Sequence, residues 1–226
     1  MDRFPFDIVA FDLDGTLLDT AGDLGEALNH ALRVGGRPPV AFGDVLRLVG
    51  GGGRRMLERA LEESGGSSAE LVDTLLPEFM RFYTDNIATH SCLFPGGEAM
   101  LDGLAARGVK LAVVTNKLEA LGVRLLDELG LSRRFFTIIG GNTLGPGRAK
   151  PAPDLLLEMV ARAGGGRAAF VGDTTYDTRA ATAAGMPCVA VSFGFNDLPP
   201  AELGATAIID HYDELIPALE MLGATA

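Results

Sequence analysis

From Phe94 onward this chain alternates short apolar runs with segments of helical spacing, and one more run of the same kind, Ile8 to Phe11, stands far upstream. Val109 to Val114, Phe135 to Ile139, Ala168 to Val171, Cys188 to Val191 and Ala207 to Ile209 read as strands. Leu118 to Leu129, closed by Gly130, then Leu155 to Ala163, and a segment ending near Ala184 before Gly185, read as helices. Short runs rich in Val, Ile and Phe suit strands buried on both faces. Their alternation with helices implies a parallel sheet covered on both sides.

Between about residues 20 and 90 no strand pattern of any strength occurs. Leu24, Ala27, Leu28, Ala31 and Leu32 fall at helix spacing, and Thr20 with Asp23 is placed as a capping box. Gly35-Gly36-Arg37-Pro38-Pro39 ends that helix. Met56, Leu57, Ala60 and Leu61 mark a second helix after the run Gly50 to Gly53, and Gly65 to Ser68 is a loop. Leu71 to Ile87 is helical again, and Pro77 should kink it or start a new helix. The expected fold class is α/β, a doubly wound parallel sheet core (1–18 and 93–226) with an all-helical insertion (19–92) after its first strand.

The first strand stops abruptly at Asp12 and Asp14, with Gly15 and Thr16 directly behind. Residues two apart share a face of a strand, so both carboxylates start on one side, at the end where open α/β sheets bind ligands. Crowded carboxylates repel unless a cation or a shared proton intervenes. Mg²⁺ suits such a pair, because it takes hard oxygen ligands and keeps positions for water and phosphate. An Asp-Gly turn is the simpler reading of these letters alone. Three further clusters fall at strand ends or helix starts: Thr115-Asn116-Lys117, Lys150-Pro151-Ala152-Pro153-Asp154, and Gly172-Asp173-Thr174-Thr175-Tyr176-Asp177. In a parallel sheet these ends lie on one edge, so the clusters can converge.

Together they could transfer a phosphoryl group. A carboxylate can attack phosphorus to form an aspartyl-phosphate, and the charge on the phosphoryl oxygens must then be neutralised. Asp12 suits the nucleophile. Asp14 suits the acid that protonates the leaving oxygen and then the base that activates water. Thr115 and Asn116 can donate hydrogen bonds to phosphate oxygens, and Lys150 supplies a fixed positive charge. Asp173 can complete a metal site with Asp12, with Asp177 supporting it from behind. Singly, Thr115-Asn116 reads as a helix cap, Lys150 as a surface charge, Asp173 as a turn and Asp177 as a solvated helix face; the argument rests on their order.

With 30 acidic against 19 basic residues, the net charge of −11 argues against a general nucleic-acid surface. Cys92 and Cys188 fit neither a metal spacing nor a disulfide framework and read as free thiols. No apolar run reaches the roughly 18 residues of a membrane span, and no signal segment opens the chain, so it reads as cytoplasmic. The expected partner is a small phosphate ester, with neither nucleic acid nor membrane involved.

These residues resemble the haloacid-dehalogenase superfamily of phosphatases. Its four motifs are similar, in order, to Asp12-Leu13-Asp14-Gly15-Thr16, to Thr115, to Lys150 and to Gly172–Asp177. The resemblance covers nearly the whole chain, including a helical cap between the first two motifs. It implies a Rossmann-like core, Mg²⁺ dependence and an aspartyl-phosphate intermediate, with Asp14 also binding the metal through its backbone carbonyl. The dehalogenase and phosphonate-cleaving branches lack a carboxylate at the position of Asp14, and the latter use a cap lysine, whereas residues 20–90 here contain no lysine. The sugar-phosphate mutase branch typically carries Val where this chain has Thr16. Hydrolysis is therefore expected over internal transfer, with a mutase or a hydrolase of another ester or pyrophosphate as alternatives and a catalytically dead binding module as a further one.

The nearest resemblance is to bacterial phosphoglycolate phosphatases, on Val49 to Leu61, on Val114-Thr115-Asn116-Lys117 and on Gly194-Phe195-Asn196. Pro77 and Asn142 depart from that pattern. A glycine-rich loop at a helix start can present N–H groups to an anion, and a cap donor or Arg54 could read a substrate carboxylate. The other reading makes Gly50 to Gly53 a hinge and Arg54 a solvated charge. Leu48 and Met56 could face an interface or pack in the core. A cap implies opening and closing, with hinges expected near Leu18 to Ala21 and Cys92 to Gly96. The assembly is expected to be a monomer or a homodimer.

Overall fold

The computed structural model describes residues 3–49 and 51–224. Gly50, part of the glycine run singled out above, lies outside the described residues. Ile8–Phe11 forms strand β1, and all its side chains are fully buried, as a strand sandwiched between two helical layers requires. Lys110–Val114 (β4), Thr137–Ile139 (β5), Ala168–Gly172 (β6), Cys188–Val191 (β7) and Ala207–Ile209 (β8) join it. Among the described residues they make one parallel sheet in the order β5-β4-β1-β6-β7-β8.

Alternate strand residues feed two cores. Val9, Phe11, Val113 and Val171 pack with α5 (Gly97–Ala106), α6 (Glu119–Glu128) and α9 (Leu215–Ala224) on one face. Ile8, Ala10, Val114 and Phe170 pack with α7 (Asp154–Ala163) and α8 (Thr175–Ala183) on the other. The sheet is thus doubly wound. The chain leaves β1 for β4 and β5 on one side, then crosses to β6 on the other, so the switch in strand order falls at β1, where such sheets bind ligands.

Between β1 and β4 the chain runs through α1 (Ala21–Val34), α2 (Phe42–Val45), α3 (Gly53–Glu63) and α4 (Ala69–Asp85). This helical insertion enters and leaves by a two-stranded antiparallel ribbon of β2 (Leu18–Asp19) and β3 (Cys92–Leu93). Both expected hinge segments include a strand of this ribbon. Leu48 and Met56 are buried, which agrees with core packing. No helix among the described residues is long and apolar enough to cross a membrane.

Two local expectations are corrected. Thr20 and Asp23 do not form a capping box. The Thr20 side chain makes no cap hydrogen bond and donates instead to Asp14 Oδ1 at 2.8 Å. Buried Asp23 accepts from the backbone N–H groups of His90 and Ser91 and from the Ser91 hydroxyl, tying the entry of the insertion to its exit. Of the two outcomes expected at Pro77, a kink or a new helix, the second does not occur, because α4 is a single element from Ala69 to Asp85. Proline removes one backbone donor and costs about 3 kcal/mol in a helix interior, but Val72, Leu75, Phe79 and Tyr83 are buried along one stripe that spans the site.

Candidate active site

Because β4 and β6 flank β1, their carboxyl ends bring three motifs together. Phe11 pairs with Val113 and Val171 in register, so Asp12, Thr115 and Asp173 follow the same row of the sheet within two residues. The Asp12 N–H extends the ladder to Val171 O at 2.9 Å. Beyond it the chain turns at Gly15, whose φ of +79° suits glycine and whose missing Cβ leaves room for Asp173 and the Phe195 ring.

Asp173 is fully buried and held at both oxygens: Thr16 Oγ1 donates to Oδ1 at 2.8 Å, and the Phe195 N–H to Oδ2 at 2.8 Å. Asp177, one turn into α8, has every oxygen engaged. Its Oδ2 accepts from the N–H groups of Asp173 and Thr174 and from the Thr174 hydroxyl, and its Oδ1 from Lys150 Nζ at 2.6 Å. Lys150 Nζ also lies 2.9 Å from Asp12 Oδ1. That contact lacks hydrogen-bond geometry, so Asp12 Oδ1 is buried without a hydrogen-bond partner among the described residues.

Carboxylate oxygens of Asp12, Asp173 and Asp177 lie within 4.8 Å of one another. Asp12 and Asp177 thus share the Lys150 ammonium, and Asp173 adds a third carboxylate beside them. Burial, reinforced by Asp177 and Asp14 and opposed by Lys150, pushes the Asp12 carboxyl up to about 6. Burial and the neighbouring Asp177 and Asp12 push Asp173 well above the carboxylate range. Burial works against the charge of Lys150, but Asp12 and Asp177 outweigh it and raise its pKa. An all-oxygen donor set with surplus negative charge fits a hard divalent cation such as Mg²⁺. Asp177 accepts four hydrogen bonds against two for Asp173, so Asp12 and Asp173 keep more capacity to ligate.

The Asp14 carboxylate stands apart from that cluster. Lys117 Nζ bonds both its oxygens at 2.7 Å, and Thr20 donates to one of them. Lys117 is buried, and its ammonium lies 4.8 Å from the centroid of the Tyr83 ring, which α4 delivers from the insertion. Burial disfavours the Lys117 charge, but Asp14 and Tyr83 outweigh it and raise its pKa. Burial pushes the Tyr83 phenol up to about 12, with Lys117 opposing.

Thr115 is buried at the end of β4, and its hydroxyl accepts from the Lys117 N–H at 3.2 Å. Asn116 Nδ2 donates to the backbone carbonyl of Lys150 at 2.9 Å, and its Oδ1 is buried without a hydrogen-bond partner among the described residues. Neither residue caps α6, whose N-cap is Leu118. Asn142, a departure from the pattern of similar sequences, accepts the Glu119 N–H instead.

Asp12, Asp14, Thr115, Asn116, Lys150 and Asp173 all line one cavity of about 350 Å³. Arg54 lines the same cavity from the start of α3, half exposed, with its guanidinium paired to Asp73 and 3.7 Å from Glu58. Lys117, Tyr83 and Thr20 are given no part in the site's chemistry by the sequence. Lys117 has one signal there, its place directly after Thr115-Asn116; Tyr83 has none beyond a helical apolar stripe.

The geometry agrees with what comparison with known proteins finds. The model of the haloacid dehalogenase-like hydrolase family matches residues 9–191. The phosphoglycolate phosphatase of Agrobacterium fabrum (strain C58) is 41% identical over 216 residues, covering 94% of this chain and 91% of that protein. That of Caulobacter vibrioides is 42% identical over 207 residues, covering 90% and 86% respectively. A crystal structure described as a predicted phosphoglycolate phosphatase from Haemophilus somnus 129pt superposes with a TM-score of 0.87 at 28% identity, covering 95% of this chain and 98% of that one. The chain belongs to the haloacid dehalogenase-like hydrolase family.

Proposed function

We propose that this phosphatase hydrolyses a small phosphate monoester, 2-phosphoglycolate, to glycolate and phosphate through an aspartyl-phosphate on Asp12, with Mg²⁺ as cofactor. The observation that carries the reading is Asp12 itself. It stands at the switch point of the sheet, 2.9 Å from Lys150 Nζ and on the wall of a cavity that also holds Asp14, Thr115 and Asn116. The choice of ester leans on the phosphoglycolate phosphatases to which the chain is similar over most of its length.

Asp12 attacks phosphorus as a carboxylate while the ester oxygen departs. Asp14 protonates that oxygen, then removes a proton from the water that attacks the aspartyl-phosphate. Lys150 offsets charge on the phosphoryl oxygens, and Thr115 and Asn116 donate to them. Asp12 and Asp173, with the backbone carbonyl of Asp14 that the family resemblance implies, would hold Mg²⁺, and Asp177 would fix Asp173 and Lys150 behind them. Bound there, Mg²⁺ would supply charge neutralisation at the phosphoryl group. The reading treats residues 19–92 as a cap over a core made of 1–18 and 93–226, with Arg54 at the rim paired to Asp73 and Glu58. It includes a cytoplasmic location and a monomer or homodimer.

The test is phosphate release from a panel of esters, with and without Mg²⁺, by the wild type and Asp12→Asn. Mg²⁺-dependent release that peaks on 2-phosphoglycolate and disappears in the variant is expected. A peak on another ester would overturn the substrate, and activity surviving in Asp12→Asn would overturn the nucleophile.

A further inference from the structure

A substrate carboxylate in this cavity needs a receptor next to Asp14. In 2-phosphoglycolate the carboxyl carbon is two bonds from the ester oxygen, and the ester oxygen is the atom Asp14 must reach. A group that reads the carboxylate therefore borders Asp14 and offsets its charge. The guanidinium of Arg54 is already turned to Asp73 and Glu58. Much of the remaining wall, with Leu24, Val49, Leu76, Phe79, Met80 and Leu121, is apolar.

Two groups meet the requirement. Tyr83 is 2% exposed and lines the cavity, and its hydroxyl has no hydrogen-bond partner among the described residues. Buried hydroxyls in folded proteins are nearly always paired, so an orphan one in a cavity wall points to a ligand. Lys117 Nζ sits 2.7 Å from both Asp14 oxygens and beside the Tyr83 ring. An ammonium carries three donors, and two are used on Asp14.

From this juxtaposition, which rests on the phosphoglycolate reading above, we infer that the Tyr83 hydroxyl and the remaining N–H of Lys117 together bind the substrate's carboxylate. One group comes from α4 of the insertion and the other from the loop after β4, so the receptor is complete only when the insertion packs on the core as it does here. Selectivity for an acidic ester and cap position are then one property. Substrates lacking the carboxylate leave the receptor unpaired, and a site with unpaired polar groups rejects such analogues.

The experiment compares 2-phosphoglycolate with ethyl phosphate, which has the same ester carbon but no carboxylate, in wild type, Tyr83→Phe and Lys117→Met. Thermal melting is recorded for each in the absence of substrate. Wild type should prefer 2-phosphoglycolate. Tyr83→Phe should cut the ratio of the two kcat/KM values about 10- to 100-fold, mostly through KM, the loss of one hydrogen bond to a charged group. Lys117→Met should lower the same ratio. Tyr83→Phe should melt close to wild type, because the hydroxyl makes no well-aligned hydrogen bond to the described residues. A ratio unchanged in both variants, with wild type still preferring 2-phosphoglycolate, would overturn the inference and leave the proposed function standing. A lowered melting point with an unchanged ratio would make the hydroxyl structural and overturn it too. Wild type that prefers ethyl phosphate would overturn the substrate reading itself.

Discussion

Lys117 Nζ grips both carboxylate oxygens of Asp14 at 2.7 Å, and Thr20 adds a third bond to the same group. The side chain proposed as acid and base is thereby fixed in direction by partners from both sides of the insertion boundary. Removing Lys117 would free that carboxyl to rotate. Esters with poor leaving groups depend on protonation by Asp14 and should suffer most. For Lys117→Met we expect kcat on an alkyl phosphate to fall about 10- to 100-fold, a part of the roughly 10²- to 10⁴-fold that positioned general acid–base catalysis contributes. On p-nitrophenyl phosphate, whose leaving group departs without a proton, the fall should be several-fold smaller. Steady-state kinetics on the two esters checks this, and equal losses would show that Lys117 acts elsewhere.

Asp12 makes the metal-free protein pH-sensitive. Its carboxyl is raised from 3.8 to about 6, first by burial and then by Asp177 and Asp14, against the pull of Lys150. Between these values the folded chain keeps a proton that the unfolded chain has lost, so this group's contribution to stability declines as pH rises from about 4 to 6 and is level above. Asp12→Asn removes the titration. The variant should match wild type near pH 4 and exceed it at pH 7 by an amount of order 3 kcal/mol. Urea titrations of both proteins in a chelator measure the difference. Added Mg²⁺ should raise the melting point of wild type more than that of the variant.

The sheet and the catalytic edge were legible because their signals are local. Ile8 to Phe11 is buried on both faces and therefore apolar without a break, and the carboxylates begin where burial ends. The reading failed where a polar side chain is satisfied from far along the chain. Thr20 and Asp23 have capping-box spacing, yet Thr20 reaches into the catalytic edge and Asp23 ties to Ser91, 68 residues away. Lys117 could not be assigned because its meaning depends on Asp14, 103 residues earlier.

Arg54 illustrates a motif-derived expectation that its surroundings weaken. It lines the cavity, but its guanidinium is paired with Asp73 and Glu58 on the surface of the insertion. Exposed pairs contribute roughly 0–1 kcal/mol. Arg54→Ala should leave KM for 2-phosphoglycolate within about threefold of wild type and lower the melting point by only a degree or two. A KM rise beyond tenfold would return the carboxylate to Arg54.

Gly15 holds the first motif against the last. Its φ is +79°, and a Cβ there would lie 2.4 Å from Asp173 Oδ2 and 2.7 Å from the Phe195 ring. Both objections act at once: a side chain disfavours the backbone conformation, and its neighbours cannot yield easily. Asp173 is locked by Thr16 and the Phe195 N–H, and the Phe195 ring packs near Phe94 at 6.4 Å between centroids. Gly15→Ala must therefore displace the carboxylate proposed to ligate the metal, or twist the turn that carries Asp14. We expect a loss of about 2–4 kcal/mol in stability and a Mg²⁺ requirement shifted to higher concentration. Urea unfolding and activity as a function of Mg²⁺ separate these effects. Serine at position 15 should behave like alanine, since the obstacle is the Cβ itself. Wild-type Mg²⁺ dependence in Gly15→Ala, with stability lost, would show that the turn takes up the strain and that Asp173 keeps its place.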